Sequence, residues 1–341
     1  MDPRLSSYGE RRRRPALWLA AGLLPVLLAL VWFWSYAAGS GPAAAETLVY
    51  IPPGSSFAAV ERTLVEAEVL REDRRFRWLA YLSGQRGRLR AGEYAVAAGA
   101  SPREILQLLT TGRTVRRQVT IPEGSNLFQV ARLLAGQQLL DAEDFVAYVT
   151  DPVTVKRFGL DSPSPAPSLE GWLFPDTYFF TRGQSKEEIT AVMVRRARTV
   201  LDELLAGRDD SGLSRLEIMT LASIVEKETG LAEERSLIAG VFFNRLEKGM
   251  RLQTDPTVIY GLQSFDRRLS RQDLRTPTPY NTYTIHGLPP GPIANPGRAA
   301  IAAVLEPEET DYLYFVSRND GSHQFSTNLR DHNRAVNRYQ R

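Results

Sequence analysis

An uncharged apolar stretch near the N-terminus limits what this chain can fold into more than any other feature. It runs from Pro15 to Ala38 and contains no Asp, Glu, Lys or Arg. A helix of that length and composition can cross a lipid bilayer. We therefore predict a transmembrane helix at 15–38, preceded by a basic cytoplasmic tail at 1–14 and followed by a short flexible tether at 39–46.

The flanking charges predict the orientation of this helix. Four consecutive arginines, Arg11 to Arg14, precede it, and the next basic residue after it is Arg62. By the positive-inside rule, the N-terminus stays in the cytoplasm and the rest of the chain lies outside. A cleaved signal peptide is the alternative, because Ala43 to Ala45 resembles a small-residue cleavage site.

Composition excludes several classes of site. The chain has no cysteine, which rules out disulfides, thiolate metal ligands and cysteine nucleophiles. Its three histidines lack the spacing of a metal site, so we predict no metal and no cofactor. The net charge is only +3, and no basic tract interleaved with aromatics occurs beyond the N-terminus, so we predict no nucleic-acid partner.

Two segments after the tether look like copies of one unit. The sequences IPPGS at 51–55 and IPEGS at 121–125 lie 70 positions apart, each between a short strand and a helical pattern. A further strand is predicted at 91–96, and a helix with capping-box chemistry begins at Ser101. Residues 47–112 thus read as a strand–helix–helix–strand–helix domain.

The remainder is predicted to form a mixed α+β domain at 113–341. A proline-rich break at 162–167 divides it into a repeat-like subdomain at 115–160 and a core at 168–341. The alternating aromatics between Trp172 and Phe180 indicate a strand with one packed face, which favours core packing over a sugar-stacking platform. Beyond Gly249 the pattern favours loops and short strands.

One helical pattern, predicted from about Ser214 to Thr229, ends in two glutamates. Its apolar residues share a face, and Glu228 projects closer to that face than Glu226 does. Burial and the negative end of the helix dipole both raise a carboxyl pKa, so Glu228 is the candidate general acid. Two solvated glutamates at a frayed helix end are the alternative.

Several polar and aromatic side chains could hold a substrate beside that carboxyl. Gln253 and Asp255 lie in a predicted loop whose course Pro256 fixes, and tyrosine rings can stack on sugars. Core packing for the tyrosines, and turn formation for Asn281 and Asp255, are the competing interpretations. The candidate supporting residues are Glu226, Gln253, Asp255, Tyr280, Asn281, Tyr283 and Glu170, the last with a capping role as its alternative.

These motifs together resemble the membrane-bound endolytic murein transglycosylases of the YceG-like family. The resemblance extends from the apolar stretch to residue 341, with long motifs in the same order. They are EGW at 170–172 with PDT at 175–177, VEKET at 225–229, NRL at 244–246, GMRLQTDPTVIYG at 249–261, YNTY at 280–283, GLPPGPI at 287–293, and Tyr312 to Val316 with His323, Phe325, His332 and Asn333.

The resemblance implies an α+β protein of the bacterial cytoplasmic (inner) membrane, with a small LysM-like domain at 47–112 and a catalytic domain facing the peptidoglycan. Such enzymes cut the β-1,4 bond between N-acetylmuramic acid and N-acetylglucosamine within glycan strands and leave 1,6-anhydro ends. The family's catalytic glutamate belongs to the Glu-Lys-Glu-Thr element, which points to Glu228, with Glu226 in reserve. Peptidoglycan synthases or the elongation machinery become candidate partners.

Two other functions stay open from the sequence. The LysM-like part suits a non-catalytic peptidoglycan-binding scaffold. An ordinary muramidase-type hydrolase would need a second carboxylate, for which Asp255 is the candidate, about 5 to 9 Å from the first.

Overall fold

The computed structural model describes residues 13–160, 167–206 and 212–340, with side chains from residue 23 onward. Most of the predicted tail at 1–14 and of the proline-rich break at 162–167 lies outside these residues. The chain forms two compact units. The first comprises Met1–Arg116 and Thr181–Gly183, and the second comprises Arg117–Phe180 and Gln184–Arg341.

The first unit has the predicted order of elements after its N-terminal helix. Strands β1 and β2 pair antiparallel with Val49 opposite Tyr94, and both residues are buried. Ser101 and Glu104 form the capping box that starts the last helix. The elements are α1 Arg13–Ala38, β1 Thr47–Ile51, α2 Phe57–Glu66, α3 Arg75–Leu82, β2 Gly92–Val96 and α4 Pro102–Thr111.

The end of α1 packs into the core of this unit, where Ala37 is fully buried. The segment predicted as a flexible tether is hydrogen bonded there: Gly41 N–H donates to the Gly99 carbonyl at 3.1 Å, and Gly99 N–H donates to Ala43 at 2.9 Å. Over the residues it describes, the structure contains no helix both long and apolar enough to cross a membrane.

The second unit is mainly helical, with two short antiparallel strand pairs. Strand β3 pairs with β4, with Val119 opposite Tyr178, and β5 pairs with β6, with Phe315 opposite Phe325. Its elements are β3 Arg117–Thr120, α5 Leu127–Gly136, α6 Ala142–Val149, α7 Pro152–Arg157, β4 Thr177–Phe180, α8 Lys186–Leu205, α9 Arg215–Glu228, α10 Arg235–Glu247, α11 Asp255–Gly261, α12 Arg298–Leu305, β5 Tyr314–Ser317, β6 His323–Ser326 and α13 Leu329–Tyr339. Short 3₁₀ turns lie at Ala232–Glu234 and Asp273–Arg275. The mixed α+β class is confirmed.

The two predicted copies share their turn chemistry as well as their sequence. In each, a glycine with positive φ closes a turn, and a polar side chain then caps the following helix. A residue in the left-handed region follows each helix. These pairs, each 70 positions apart, are Gly54 and Gly124, Ser56 and Asn126, and Glu68 and Gln138.

One hydrophobic cluster runs through the described part of the second unit. It joins residues between Val119 and Val155 to residues between Leu169 and Val304. Residues of the predicted repeat-like subdomain at 115–160 therefore belong to the same hydrophobic cluster as the rest of the unit. Trp172, Phe174, Tyr178 and Phe180 all belong to this cluster, which confirms core packing, although only Thr177–Phe180 forms a strand.

The prediction of loops and short strands beyond Gly249 is wrong for three segments. Helices α11, α12 and α13 lie there, and Asp255 is the first residue of α11 instead of a loop residue. Pro256 suits the first turn of a helix, where its missing N–H costs nothing. Helix α12 packs against α9 and α10, so tertiary burial stabilises a helix too short to be stable alone.

Candidate active site

Helix α9 brings Glu228 to the surface of a tightly packed core. Ser214 and Glu217 form a capping box at its start, and all eight residues from Ile218 to Val225 are buried. The middle of the helix is thus enclosed on every side, more than the single apolar face predicted from the sequence. It ends at Glu228 because Thr229 adopts an extended conformation, which leaves the Glu228 carboxyl at the negative end of the helix dipole.

Glu228 opens into a polar cleft of about 530 Å³. The walls come from the end of α9, from α10 and the segment before α11, from strands β5 and β6, and from α13. The lining residues are Glu228, Arg245, Leu252, Gln253, Asp255, Tyr283, Tyr314, Phe315, Val316, Ser317, His323, Leu329, His332, Asn333, Val336 and Gln340. A carboxyl that is partly buried and still faces open space can exchange protons with a bound molecule.

Burial raises the pKa of Glu228 to about 7, against the effect of the Thr254 hydroxyl, which donates a hydrogen bond to its carboxyl. The nearby charge of Asp255 raises the pKa further, while His323 and Arg245 lower it. Near neutral pH both protonation states are therefore populated. A group of this kind can donate a proton and then accept one.

Thr254 is held by a network of buried threonines. Its N–H donates to the Thr282 hydroxyl at 3.0 Å, and its carbonyl accepts from the Thr257 hydroxyl at 2.7 Å. Thr254 occupies the N-cap position of α11, where threonine side chains usually cap their own helix. Here its hydroxyl makes no cap bond and is directed to Glu228.

Asp255 and Tyr283 lie beside this carboxyl as a pair. The Tyr283 hydroxyl donates a hydrogen bond to Asp255 Oδ1 at 2.6 Å. Burial is the main cause that raises the pKa of this phenol, and the hydrogen bond to Asp255 raises it further. Gln253 lines the same cleft with φ at 52°, and its N–H donates to the Thr282 carbonyl. The structure therefore brings together four of the predicted site residues: Glu228, Gln253, Asp255 and Tyr283.

Arg245 places a buried positive charge on the cleft wall. Its guanidinium donates to the carbonyls of Leu313 and Leu252, each at 2.6 Å, and lies over the Tyr314 ring. Burial lowers the pKa of this arginine. These bonds join the turn before α11 to strand β5, so that both walls are fixed by one side chain.

Two histidines complete the cleft. His323 hydrogen bonds through Nδ1 to Glu234 at 2.6 Å, which ties strand β6 to the turn before α10. His332 stacks on the Tyr314 ring, and its Nδ1 is buried with no hydrogen-bond partner among the described residues. Burial lowers the pKa of His332, with Arg245 adding to the effect.

Glu226 does not face this cleft. Its carboxyl accepts from Gly297 N–H at 3.0 Å and lies 3.7 Å from the Arg235 guanidinium. Burial raises its pKa, and its side chain is only 7% exposed. The two glutamates thus differ in what they face more than in how deeply they are buried, because side chains two positions apart on a helix point about 200° apart.

Three other predicted supporting residues have structural roles. Asn281 is fully buried, and its amide donates to the Thr276 carbonyl at 2.7 Å, as a turn residue does. Tyr280 packs against Tyr260 with ring centroids 4.9 Å apart. Glu170 is fully buried and accepts from Leu127 N–H at the start of α5. The predicted substrate contacts of these three residues are not supported by their positions.

Sequence reasoning gave no role to Thr254 or Arg245, although both lie within motifs of the resemblance. Thr254 acts on a residue 26 positions away, and Arg245 on one 68 positions away. One signal for Arg245 was present in the sequence: it lies among apolar residues of a helical pattern, and arginine is rarely buried without a partner. Among the described residues, no group of three or more acidic or histidine side chains could hold a metal ion.

A proton-exchanging carboxyl at the end of a buried helix, open to a polar cleft, is the arrangement of an acid–base enzyme. The model of the YceG-like family matches residues 49–338. The chain therefore belongs to the YceG-like family.

Relatives and a solved structure agree with this assignment. The chain is 34% identical over 303 residues to the endolytic murein transglycosylase of Bacillus subtilis (strain 168), covering 85% of this chain and 84% of that protein. It is 31% identical to the endolytic murein transglycosylase of Streptococcus pneumoniae serotype 2 (strain D39), covering 84% of this chain but 57% of that protein. A crystal structure of a YceG-like protein from Listeria monocytogenes has a TM-score of 0.59 and 33% identity, covering 86% of this chain and all of that one.

Proposed function

We propose that this protein is an endolytic murein transglycosylase that cuts peptidoglycan glycan strands, with Glu228 as its catalytic residue. The names of its relatives give the substrate class. The position of Glu228, at the cleft and with a pKa of about 7, is the observation that carries the residue assignment. Glu226, committed to Gly297 and Arg235, is a poor alternative.

One carboxyl group can perform both proton transfers of this reaction. Protonated Glu228 donates its proton to the oxygen of the β-1,4 bond, and the bond from that oxygen to C1 of N-acetylmuramic acid breaks. The C6 hydroxyl oxygen of the same N-acetylmuramic acid then bonds to C1, and the Glu228 carboxylate takes the proton that this hydroxyl loses. The product is a 1,6-anhydro end, no water is consumed, and Glu228 is protonated again.

The cleft provides support for this cycle. Burial and the charge of Asp255 disfavour the carboxylate that exists after the first transfer, whereas the Thr254 hydroxyl and the charge of Arg245 favour it. Opposing influences of this kind keep the pKa near neutral pH, where a single group can serve as acid and then as base. Gln253 and Tyr283 line the cleft beside Glu228 and offer hydrogen bonds to a sugar.

A muramidase-type hydrolase is the second candidate, because Asp255 lines the same cleft. In that reaction Asp255 would act as the second carboxylate. Its hydrogen bond from Tyr283 at 2.6 Å and its place at the start of α11 favour a positioning role instead.

The proposal includes an arrangement at the membrane. The uncharged stretch 15–38 within α1 anchors the chain, the arginines before it stay in the cytoplasm, and the rest lies outside the inner membrane. The strand and helix order of the first unit suits a LysM-like peptidoglycan-binding domain. Peptidoglycan synthases or the elongation machinery are the proposed membrane partners.

Product analysis tests the reaction. Purified full-length protein is incubated with peptidoglycan, and the released fragments are analysed by mass spectrometry. Anhydro ends support the transglycosylase, reducing ends indicate a hydrolase, and no release by a folded protein indicates a scaffold. Glu228→Gln should abolish release while Glu226→Gln keeps it; the reverse result would overturn the assignment of Glu228.

A further inference from the structure

Helix α3 of the first unit carries apolar side chains on two opposite faces. One face, formed by Phe76, Leu79 and Ala80, is buried in the core. At 100° per residue the other face points directly away from it. This α3 outer face consists of Trp78, Tyr81 and Leu82, which are 59%, 63% and 67% exposed. Three large apolar side chains exposed together on two helical turns indicate a contact surface.

The same segment is strongly basic. Residues 71–90 contain seven arginines and two acidic residues, a net charge of +5 in a chain whose total is +3. Arg74 and Arg77 lie on α3 or at its start, and Arg86 and Arg88 lie in the loop that follows it; all four are exposed. Exposed aromatic and apolar residues surrounded by arginines are the composition of a surface that binds anionic lipid.

The start of α3 contacts α1 near the C-terminal end of its apolar stretch. The Arg75 guanidinium lies 4.4 Å from the Trp32 ring and 4.3 Å from the Tyr36 ring, and Asp73 accepts a hydrogen bond from it at 2.8 Å. Tryptophan and tyrosine rings at such positions mark the membrane–water interface. Since α3 begins at Arg75 and is about 12 Å long, none of its residues lies more than about 12 Å along the helix from this contact.

We propose that the α3 outer face and its arginines rest on the anionic outer surface of the membrane that α1 crosses. Trp78, Tyr81 and Leu82 enter the headgroup region while the arginines pair with lipid phosphates. The first unit is then held by two contacts, the transmembrane helix and this surface. This inference depends on the membrane anchor proposed above, and it requires nothing of the catalytic reaction.

The absence of cysteine allows a clean test. In the full chain, Ser83→Cys places an environment-sensitive fluorophore beside Leu82, and Leu27→Cys places one within α1. Each labelled protein is reconstituted into nanodiscs containing spin-labelled lipid, either with phosphatidylglycerol or with phosphatidylcholine alone. We expect quenching at position 83 to be about threefold stronger in the anionic discs.

Charge variants distinguish surface binding from anchoring. Arg74→Gln with Arg88→Gln should remove most of the quenching at position 83, while the matched pair Arg268→Gln with Arg271→Gln should leave it unchanged. Quenching at position 27 should persist in all variants. Quenching at 27 without quenching at 83 would overturn the surface proposal alone, and no quenching at 27 would overturn the anchor as well. Equal quenching at 83 in both lipids would contradict the role of the arginines.

Discussion

Two glutamates in the second unit, Glu170 and Glu228, both have pKa values raised mainly by burial, but they differ in their access to open space. Burial raises the pKa of Glu170 to about 8 and that of Glu228 to about 7. Glu170 is fully enclosed, and its carboxyl accepts from Leu127 N–H at 2.9 Å and from the Asn295 amide at 3.0 Å. Glu228 faces the cleft.

This comparison shows that a raised pKa reports burial and does not by itself identify a catalytic acid. Glu170 satisfies a helix start, since Leu127 N–H is one of the donors that α5 leaves without an internal partner. Glu228 leaves part of its carboxyl accessible to a ligand. Access to open space separates the proton donor from the structural acid.

The largest expected effect is on turnover. Glu228→Gln should lower the rate of glycan cleavage by roughly 10²- to 10⁴-fold, because the amide cannot transfer the proton. Glu170→Gln should keep most of the activity, since an amide can replace the neutral carboxyl. Muropeptide release measured for both variants, with circular dichroism as the control for folding, checks this. Comparable losses in the two variants would remove the distinction.

Stability should show the opposite order. Glu170→Ala should lower the free energy of unfolding by about 2–4 kcal/mol, because it leaves a cavity and two buried donors without an acceptor. Glu228→Ala should cost less, since the carboxyl faces the cleft and Thr254 can bond to water. Urea unfolding of both variants gives the two values. A larger cost at Glu228 would mean that its role in the fold had been underestimated.

Glu170 and Glu228 should affect the pH dependence of stability over different pH ranges. Both native pKa values exceed the usual value of 4.5, so the native state binds more protons than the unfolded state between these limits. Stability therefore falls as pH rises, from about 4.5 to 7 for Glu228 and from about 4.5 to 8 for Glu170, by on the order of 3 kcal/mol for Glu228 and 5 kcal/mol for Glu170.

Each glutamine variant should flatten its own part of this curve. Glu228→Gln should remove the fall that is complete near pH 7, and Glu170→Gln should remove the part that continues to pH 8. Unfolding free energies measured at pH 5, 6, 7 and 8 provide the comparison. A wild-type stability that rises through this range would contradict the direction of both pKa shifts.

The smallest predicted effect concerns the hydroxyl of Thr254. Its hydrogen bond lowers the pKa of Glu228, so Thr254→Val should raise that pKa. The loss of activity on the alkaline side should then move to higher pH by about half to one unit. Thr254→Ser keeps the donor and should leave the profile in place. A shift to lower pH in the valine variant would exclude this hydrogen bond as the cause.

Local signals predicted the helix that presents Glu228. The apolar run and the two final glutamates predicted α9 to within a residue of its observed bounds, Arg215–Glu228. The preference for Glu228 over Glu226 followed from helix geometry, and the structure turns the two toward different surroundings. All of this information lies within fifteen consecutive residues.

Long-range contacts account for what the sequence did not predict. Helices α11 and α12 have seven and eight residues, and packing against α9 stabilises them. The direction of the Thr254 hydroxyl depends on Thr257 and Thr282, which meet only in the folded chain. Tyr280 and Asn281 have residue types suited to binding sugars, and their burial became evident only from the fold.

The uncapped start of α11 limits which residues position 254 can accept. Aspartate caps helices at least as well as threonine, so a designer seeking a sturdier helix would choose it. An aspartate at position 254 would place a second negative charge beside Glu228, in addition to Asp255, and would remove the hydrogen bond that Thr254 donates. Both changes would raise the pKa of Glu228 further. A mutational scan for thermal tolerance would therefore select variants at this position that have lost their optimum near neutral pH.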